Sequence, residues 1–215
     1  MWAQHKVKSN YEKYSQVRST SGKTGREVAE EILHANGIYD VDVVKGEGFL
    51  TDHYDPNKKV VCLSPANFDR PSVAGTAIAA HEVGHAIQHQ QGYAFLRFRT
   101  ALVPLANIGS SLSYIIIMAG IFLTALGSAF GSTALWIGAG LMSLAVLFSI
   151  VTLPVEFDAS SRAMKQITAL NIVNEKEYKH ARKVLSAAAM TYVAATATAV
   201  AELVRIILLA RASDN

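Results

Sequence analysis

Hydrophobic and polar positions follow different periods along the first part of the chain. In "TSGKTGREVAEEILHANGI", turn residues are followed by apolar side chains at helical spacing, at Val28, Ile32 and Leu33, and the turn pair Asn36-Gly37 comes after them. This pattern predicts a helix of roughly 10–12 residues. Residues 39–65 change to alternation over short distances, with glycine and proline between the apolar positions. That change predicts two or three short strands, the last of them within "KKVVCLS".

A second helix is predicted in "VAGTAIAAHEVGHAIQHQQ". Ser72 stands before it as an N-cap, and Gly92 follows it as a stop signal. The residues ahead of "HEVGH" are small and apolar, so this helix can be buried against its neighbours. Gly84 leaves room for another backbone to approach.

Three later segments are apolar enough to cross a membrane. Residues 100–155 contain no Asp, Glu, Lys, Arg or His over 56 positions, which is enough for two crossings of ~20 residues each. The segments 102–126 and 133–154 are joined by the short "GSAFGS", so we expect an antiparallel helical hairpin. The third segment, 184–210, contains Glu202 and Arg205, which lie one turn apart and can pair. We interpret it as transmembrane, the alternative being a buried helix of a soluble core.

The predicted architecture is that of a mainly α-helical membrane protein with a small cytosolic α+β unit. Residues 1–99 form the α+β part, 100–155 the transmembrane hairpin, 156–183 a cytosolic helical part and 184–215 a C-terminal transmembrane helix. Lys and Arg flank the hairpin on both sides, whereas its connecting turn has none. The positive-inside bias therefore places both polar regions in the cytoplasm of a multi-pass cell-membrane protein. A net charge of +3 is too small and dispersed for a nucleic-acid surface.

The motif "HEVGH" at residues 81–85 has the spacing of a zinc site. His81 and His85 are four residues apart on a predicted helix, so both imidazoles can bind one ion. Glu82 is turned by about 100° from His81 and can act as a general base toward water without binding the metal. The alternative is an ordinary helix whose histidines are exposed or hydrogen-bonded. We expect the zinc site.

The third ligand has to come from elsewhere in the chain. His89 lies eight residues after His81, so their Cα atoms are ~12 Å apart along the helix, too far for one ion. In "PVEFDASSRAM", Glu156 and Asp158 directly follow the predicted hairpin, and Pro154 can begin a helix. A carboxylate pair at a helix N-terminus is the competing interpretation. The spacing leaves both Glu156 and Asp158 open as the ligand.

Four motifs occur in the order "LTDHYDP", "AAHEVGHAIQH", "PVEFDAS" and "AAAMTYVAA". With them the chain resembles the YugP-like family of neutral zinc metallopeptidases of bacterial membranes, and more distantly the HtpX-type and CAAX prenyl proteases. The resemblance implies a zincin-like peptidase unit with His81, His85 and Glu156 as zinc ligands and Glu82 as the base. It also implies an apolar helix before "MWAQHKVKSNY".

The HtpX-type pattern has an aspartate four residues after the ligand glutamate, where this chain has Ser160. We therefore expect the outer support of the ligands to come from elsewhere, with Asp158 as the candidate. His53 in "LTDHYDP" and His89 are further candidates for substrate binding or outer support, although an ordinary strand and turn would also account for "LTDHYDP".

The sequence thus predicts a membrane-embedded zinc endopeptidase whose site faces the cytoplasm. Its expected cofactor is Zn²⁺. Its expected partners are polypeptide substrates, the lipid bilayer and either further copies of this chain or another membrane protein. We expect no nucleic-acid partner. The alternative is a non-proteolytic zinc-binding scaffold or adapter in a quality-control complex.

Overall fold

A computed structural model describes residues 2–214 of the chain. The described part is mainly helical, as predicted, and contains one small sheet. The helices are α1 Trp2–Ser15, α2 Gly25–Ala35, α3 Pro65–Asp69, α4 Val73–Gln90, α5 Ala94–Ala125, α6 Phe130–Ala169 and α7 Glu175–Ser213. The strands are β1 Asp42–Lys45, β2 His53–Asp55 and β3 Val60–Leu63.

The two helices predicted in the first 92 residues are confirmed, and Ser72 is the N-cap of the second, as expected. Helix α2 begins with a capping box in which Thr24 and Glu27 exchange side-chain to backbone hydrogen bonds. Helix α4 begins after Ser72, whose hydroxyl accepts a hydrogen bond from the backbone N–H of Gly75. These local interactions satisfy backbone donors that no helical partner can reach, which explains why both boundaries could be predicted from the sequence.

The three short strands form one sheet in the order β1-β3-β2. Strand β3 is central and pairs parallel with β1 and antiparallel with β2, where His53 lies opposite Cys62. Strand β2 is therefore an edge strand. Asp52, just before it, accepts hydrogen bonds from the backbone N–H of Ser64 at 2.8 Å and from Asn67 Nδ2 at 3.0 Å. The carboxylate of Asp52 thus ties the start of β2 to the start of α3.

The structure adds two helices that the hydrophobic pattern did not specify, and it differs from the expectation in α6. The N-terminal residues form helix α1, and the short helix α3 lies between β3 and Pro71. The prediction that Pro154 begins a helix is wrong, because Pro154 lies inside α6. A proline removes one backbone hydrogen bond, and neighbouring helices can offset that loss in long apolar helices.

Helix α6 therefore continues from the apolar segment directly into the polar residues that follow it. The polar stretch 156–183 is divided between α6 and α7 by a turn at residues 170–174. In that turn Asn174 Oδ1 accepts hydrogen bonds from the backbone N–H groups of Lys176 and Glu177, which begins α7.

The chain divides into two compact units. One comprises Met1–Leu96 and Pro154–Thr191, and the other comprises Arg97–Leu153 and Tyr192–Asn215. The first has a large buried core in which α2 and α4 are the most extensively buried helices. The boundaries of the four segments predicted from the sequence remain predictions.

The second unit has a smaller core around Leu135, Ala139 and Ile206. Among the described residues, α5, α6 and α7 are the three helices long and apolar enough to cross a membrane. The predicted pairing within α7 is confirmed, since the guanidinium of Arg205 donates to Glu202 at 3.0 and 2.5 Å.

Candidate metal centre

Two helices of the first unit bring three side chains of metal-binding chemistry together. His81 and His85 of α4 and Glu156 of α6 each offer one ligand atom, and these atoms lie within 4.8 Å of one another. The Nε2 atoms of His81 and His85 lie 3.3 and 3.6 Å from Oε2 of Glu156. In the described part of the chain, these residues are the one group of His, Cys, Asp and Glu with this arrangement.

A glycine allows the two helices to approach so closely. A Cβ atom at Gly84 would lie 2.6 Å from the backbone oxygen of Ala159 and 3.2 Å from its Cα atom. Gly84 lies between the two histidines in sequence, and Ala159 lies three residues after Glu156. The expectation that Gly84 makes room for a neighbouring backbone is confirmed. This contact sets the separation between the histidine helix and the carboxylate helix at the site itself.

The ring of His85 is oriented by Gln88, one turn further along α4. Gln88 is fully buried, and its Nε2 donates hydrogen bonds to the carbonyl oxygen of Val155 and to Oδ2 of Asp158, both at 2.8 Å. Both partners are acceptors, so the amide oxygen of Gln88 faces Nδ1 of His85 at 3.0 Å. Nδ1 therefore carries the proton, and the lone pair of Nε2 is directed toward the ligand group.

The carboxylate of Asp158 continues this network outward. Its Oδ2 accepts a hydrogen bond from Nε of Arg162 at 2.5 Å, and Arg162 also donates to Gln91 Oε1. Asp158 thus contacts His85 through Gln88 and lies outside the ligand group. The sequence had left Glu156 and Asp158 open as ligands, and it is Glu156 that lies beside both histidines.

His81 has a different outer partner. Its Nδ1 lies 3.2 Å from the hydroxyl of Ser160, one turn after Glu156 on α6. We expected the polar partners of the candidate ligands to lie at positions other than Ser160. For His81 this expectation is wrong, because Ser160 contacts its ring. A hydroxyl can donate or accept, so Ser160 holds the ring in place without selecting one tautomer, in contrast to the Gln88 amide beside His85.

Sequence reasoning missed the contacts of Gln88 and Ser160 with the two histidines. Gln88 follows His85 by three residues on a helix, and this spacing places the two side chains side by side. The signal was thus present for Gln88. The Ser160 contact joins positions that are 79 residues apart, so no local spacing could have indicated it.

Burial and neighbouring charges shift the pKa values of Glu82 and His85 on α4. Glu82 is 8% exposed, and burial raises the pKa of its carboxyl group against the opposing effect of the nearby His81 and His85. Burial alone lowers the pKa of His85, but the hydrogen bond to Glu156 and the charge of Glu82 outweigh it, so the pKa of His85 is raised.

The two other predicted histidines lie outside this group. His53 is exposed on β2, with its Nδ1 2.8 Å from the carbonyl oxygen of Thr51. His89 is exposed near the end of α4, with its Nδ1 2.8 Å from the hydroxyl of Tyr54. The contact of His89 links α4 to the edge strand β2. The exclusion of His89 from the ligand group by distance agrees with this position.

The donor set fits zinc. Zinc binds imidazole nitrogen and carboxylate oxygen, and catalytic sites use three protein ligands with one position left for water or substrate. Two imidazole Nε2 atoms and one carboxylate supply such a set, and the Nδ1 atom of each imidazole has a polar partner outside the set, as metal-bound histidines require. An open groove of about 890 Å³ between parts of α6 and α7 begins beside the site at Ser160 and Phe157.

Comparisons with known proteins agree with this chemistry. The family described as "Putative neutral zinc metallopeptidase" matches residues 1–211. The chain is 45% identical over 208 residues to the "Putative membrane protease YugP" of Bacillus subtilis (strain 168), covering 97% of this chain and 90% of that protein. No solved structure matches the chain. With the family matched over nearly its whole length, the chain belongs to this family of neutral zinc metallopeptidases.

Proposed function

We propose that this protein is a membrane-embedded zinc endopeptidase in which His81, His85 and Glu156 hold the metal within a zincin-like unit. The observation that carries the proposal is the convergence of these three side chains from two helices. Membership of the family and the relative named as a membrane protease support the same reaction class.

In this proposal Glu82 is the catalytic base. It accepts a proton from the attacking water and then donates a proton to the departing amine, so that the peptide bond is cleaved without net proton uptake by the carboxylate. Zinc, when bound, would supply Lewis-acid polarisation of the scissile carbonyl and acidify water. The burial of Glu82 beside the two histidines supports its role as the base, because a poorly solvated carboxylate can both take up and release a proton.

Gln88 and Ser160 are positioning residues in the same proposal. Each contacts the Nδ1 atom of one histidine, which directs Nε2 toward the metal position and limits ring rotation. Asp158 acts one contact further out, since it orients the amide of Gln88.

The proposed substrates are membrane proteins or membrane-associated polypeptides. Glu156 is the first charged residue after the charge-free run that ends at Val155, which supports a site close to the bilayer surface. The distribution of Lys and Arg supports a cytoplasmic location of the site. The groove that begins at Ser160 offers space for a polypeptide, and the edge strand β2 offers backbone groups for an extended one.

The experiment compares zinc content and casein cleavage in detergent-purified protein. Wild type is expected to hold about one zinc per chain and to cleave casein, with activity lost in a chelator and restored by zinc. Glu156→Ala is expected to lose zinc and activity, whereas Glu82→Gln keeps zinc and loses at least about a hundredfold in rate. His89→Ala is the matched control, because it removes a histidine of the same helix outside the ligand group.

Each result separates this proposal from its alternative. Zinc retained in Glu156→Ala would contradict the assignment of the third ligand. Full zinc with no cleavage of casein or of membrane substrates, and an unchanged cellular phenotype in Glu82→Gln, would support a non-proteolytic scaffold or adapter instead.

A further inference from the structure

A second cavity, outside the metal centre, is strongly cationic. It is an open cavity of about 560 Å³ between α1 and α7 within the first unit. Its charged lining consists of Lys6 from α1 and of Lys179, Arg182 and Lys183 from α7. Among residues 2–214, no carboxylate lines it. Four cations around one cavity without an acid form a concentrated positive potential that attracts an anion.

The four cations have no carboxylate partner among residues 2–214, although other cations of this unit do. Lys8, two residues after Lys6, lies 3.9 Å from Glu12, and Arg162 lies 2.5 Å from Asp158. No such ion pair involves the cations of the cavity in the described residues. Their charge is therefore available to a ligand, and their exposed side chains can adjust to one.

The position of this cluster along α7 indicates which anion it suits. Lys183 is directly followed by residues 184–201, which contain no charged side chain. The cavity continues along the same helix face beyond the cations to Ser186 and Met190. Positive charge at the start of an apolar helix, next to a polar and then an apolar lining, matches the order of phosphate, glycerol and acyl chain in a phospholipid.

An exposed tryptophan lies beside the same cluster. Lys6 Nζ lies 4.8 Å from the centre of the Trp2 ring, and Trp2 is 64% exposed. Tryptophan is enriched where proteins meet lipid head groups, because its ring is apolar and its N–H group needs a polar partner. Trp2 is thus a second observation, independent of charge, that indicates a membrane interface at this cavity.

We propose that this cavity binds the phosphate head group of an anionic phospholipid. Lys179, Arg182 and Lys183 contact the phosphate, Lys6 closes the cavity from α1, and Ser186 and Met190 contact the glycerol and the first part of an acyl chain. This site is independent of the zinc chemistry. Bound lipid would hold α1 against α7. Occupancy of the site would therefore depend on the anionic lipid content of the membrane.

The experiment measures lipid binding to the full chain in detergent by native mass spectrometry. The probes are dioleoylphosphatidylglycerol and dioleoylphosphatidylcholine, which have the same acyl chains but different head-group charge. The test variant is Lys179→Gln/Arg182→Gln/Lys183→Gln, and the control is Lys8→Gln/Lys58→Gln/Lys59→Gln, which removes the same charge elsewhere. A second variant, Lys179→Arg/Lys183→Arg, keeps the charge of the cavity.

We expect wild type to bind phosphatidylglycerol at least about tenfold more tightly than phosphatidylcholine. Each basic residue near an anionic lipid surface strengthens binding roughly fivefold. The test variant should lose this preference, while the control and the arginine variant keep it within about twofold. The far-UV circular dichroism spectrum and the thermal unfolding midpoint show whether each variant is folded.

Three results would overturn the proposal. One is equal binding of the two lipids by wild type, and another is equal loss in the control, which would indicate a diffuse charge effect. The third is competition by glycerol 3-phosphate at the same concentration as the lipid, which would indicate a site for a soluble phosphate instead.

Discussion

Helices α4 and α5 are both apolar, yet they meet different surroundings. Of the 18 residues of α4, 14 are buried, and most of them are small. Of the 32 residues of α5, six are buried, while large side chains such as Ile108, Ile115 and Phe122 are more than half exposed. Small apolar residues on all sides allow a helix to pack inside a protein core. Large exposed apolar residues over such a length indicate a helix that faces lipid.

The buried residues of α5 sharpen this comparison. They form a single stripe, and they are mostly small: Leu102, Ala106, Gly109, Ser113, Ile117 and Gly120. Such a stripe is typical of a membrane helix that packs closely along one face. The two helices are therefore expected to respond differently to substitution.

The largest effect is expected from a charge on the exposed face of α5. Ile115→Lys places an ammonium near the middle of the apolar segment, which should cost about 3 kcal/mol of membrane insertion. The measurement is the fraction of protein that resists carbonate extraction from membranes. Tyr39→Lys, at a position 77% exposed in the first unit, is the control and should resist extraction as wild type does. Its free energy of unfolding should stay within about 0.5 kcal/mol of wild type. Equal tolerance of both variants would mean that α5 does not face lipid.

The next effect is expected where α4 meets α6. Gly84→Ala places a methyl group 2.6 Å from the backbone oxygen of Ala159, so the helices must separate, at a cost of about 1–3 kcal/mol. Zinc content and the thermal unfolding midpoint report the change. Gly140→Ala is the control, since a Cβ atom there meets nothing within 4 Å. Unchanged zinc binding in Gly84→Ala would show that the close contact is not needed for the ligand geometry.

A smaller effect is expected from the outer partner of His85. Gln88→Met keeps the length of the side chain but removes the acceptor for Nδ1 of His85, and zinc affinity should fall about 10–100-fold. Competition with a chelator of known affinity measures this loss. Ser160→Ala should weaken zinc binding less, because a hydroxyl does not select the tautomer of His81. The reverse order of the two variants would contradict the assigned roles.

The smallest effect is expected at the start of α4. Ser72→Ala removes the acceptor for the backbone N–H of Gly75 and should lower the free energy of unfolding by about 1 kcal/mol. Ser72→Gly should cost only a few tenths of a kcal/mol, because glycine is itself a favourable N-cap residue. Chemical denaturation in detergent compares the two, and an equal loss in both would assign the effect to packing of Ser72 and not to its hydrogen bond.

Parts of the fold were predictable because their causes are local. The boundaries of α2 and α4 follow from Thr24, Ser72 and the residues after each helix. The break at Pro154 was predicted wrongly for the same reason, since the local preference of proline is overridden in a long apolar helix. The strands were recognised by their alternation, but their order β1-β3-β2 depends on pairings that no local pattern specifies.

The sequence by itself determined the chemistry of the candidate site and the apolar character of three helices. "HEVGH" on one helix aligns two imidazoles because residues four apart share a face, and length without charge is sufficient to indicate membrane helices. Only the tertiary structure placed Glu156, and not Asp158, beside both histidines, and only it placed Gln88 against His85 and Ser160 against His81. The reason is that the position of Glu156 relative to the histidines depends on how closely α4 and α6 approach at Gly84 and Ala159, and that contact joins residues 75 positions apart in the chain.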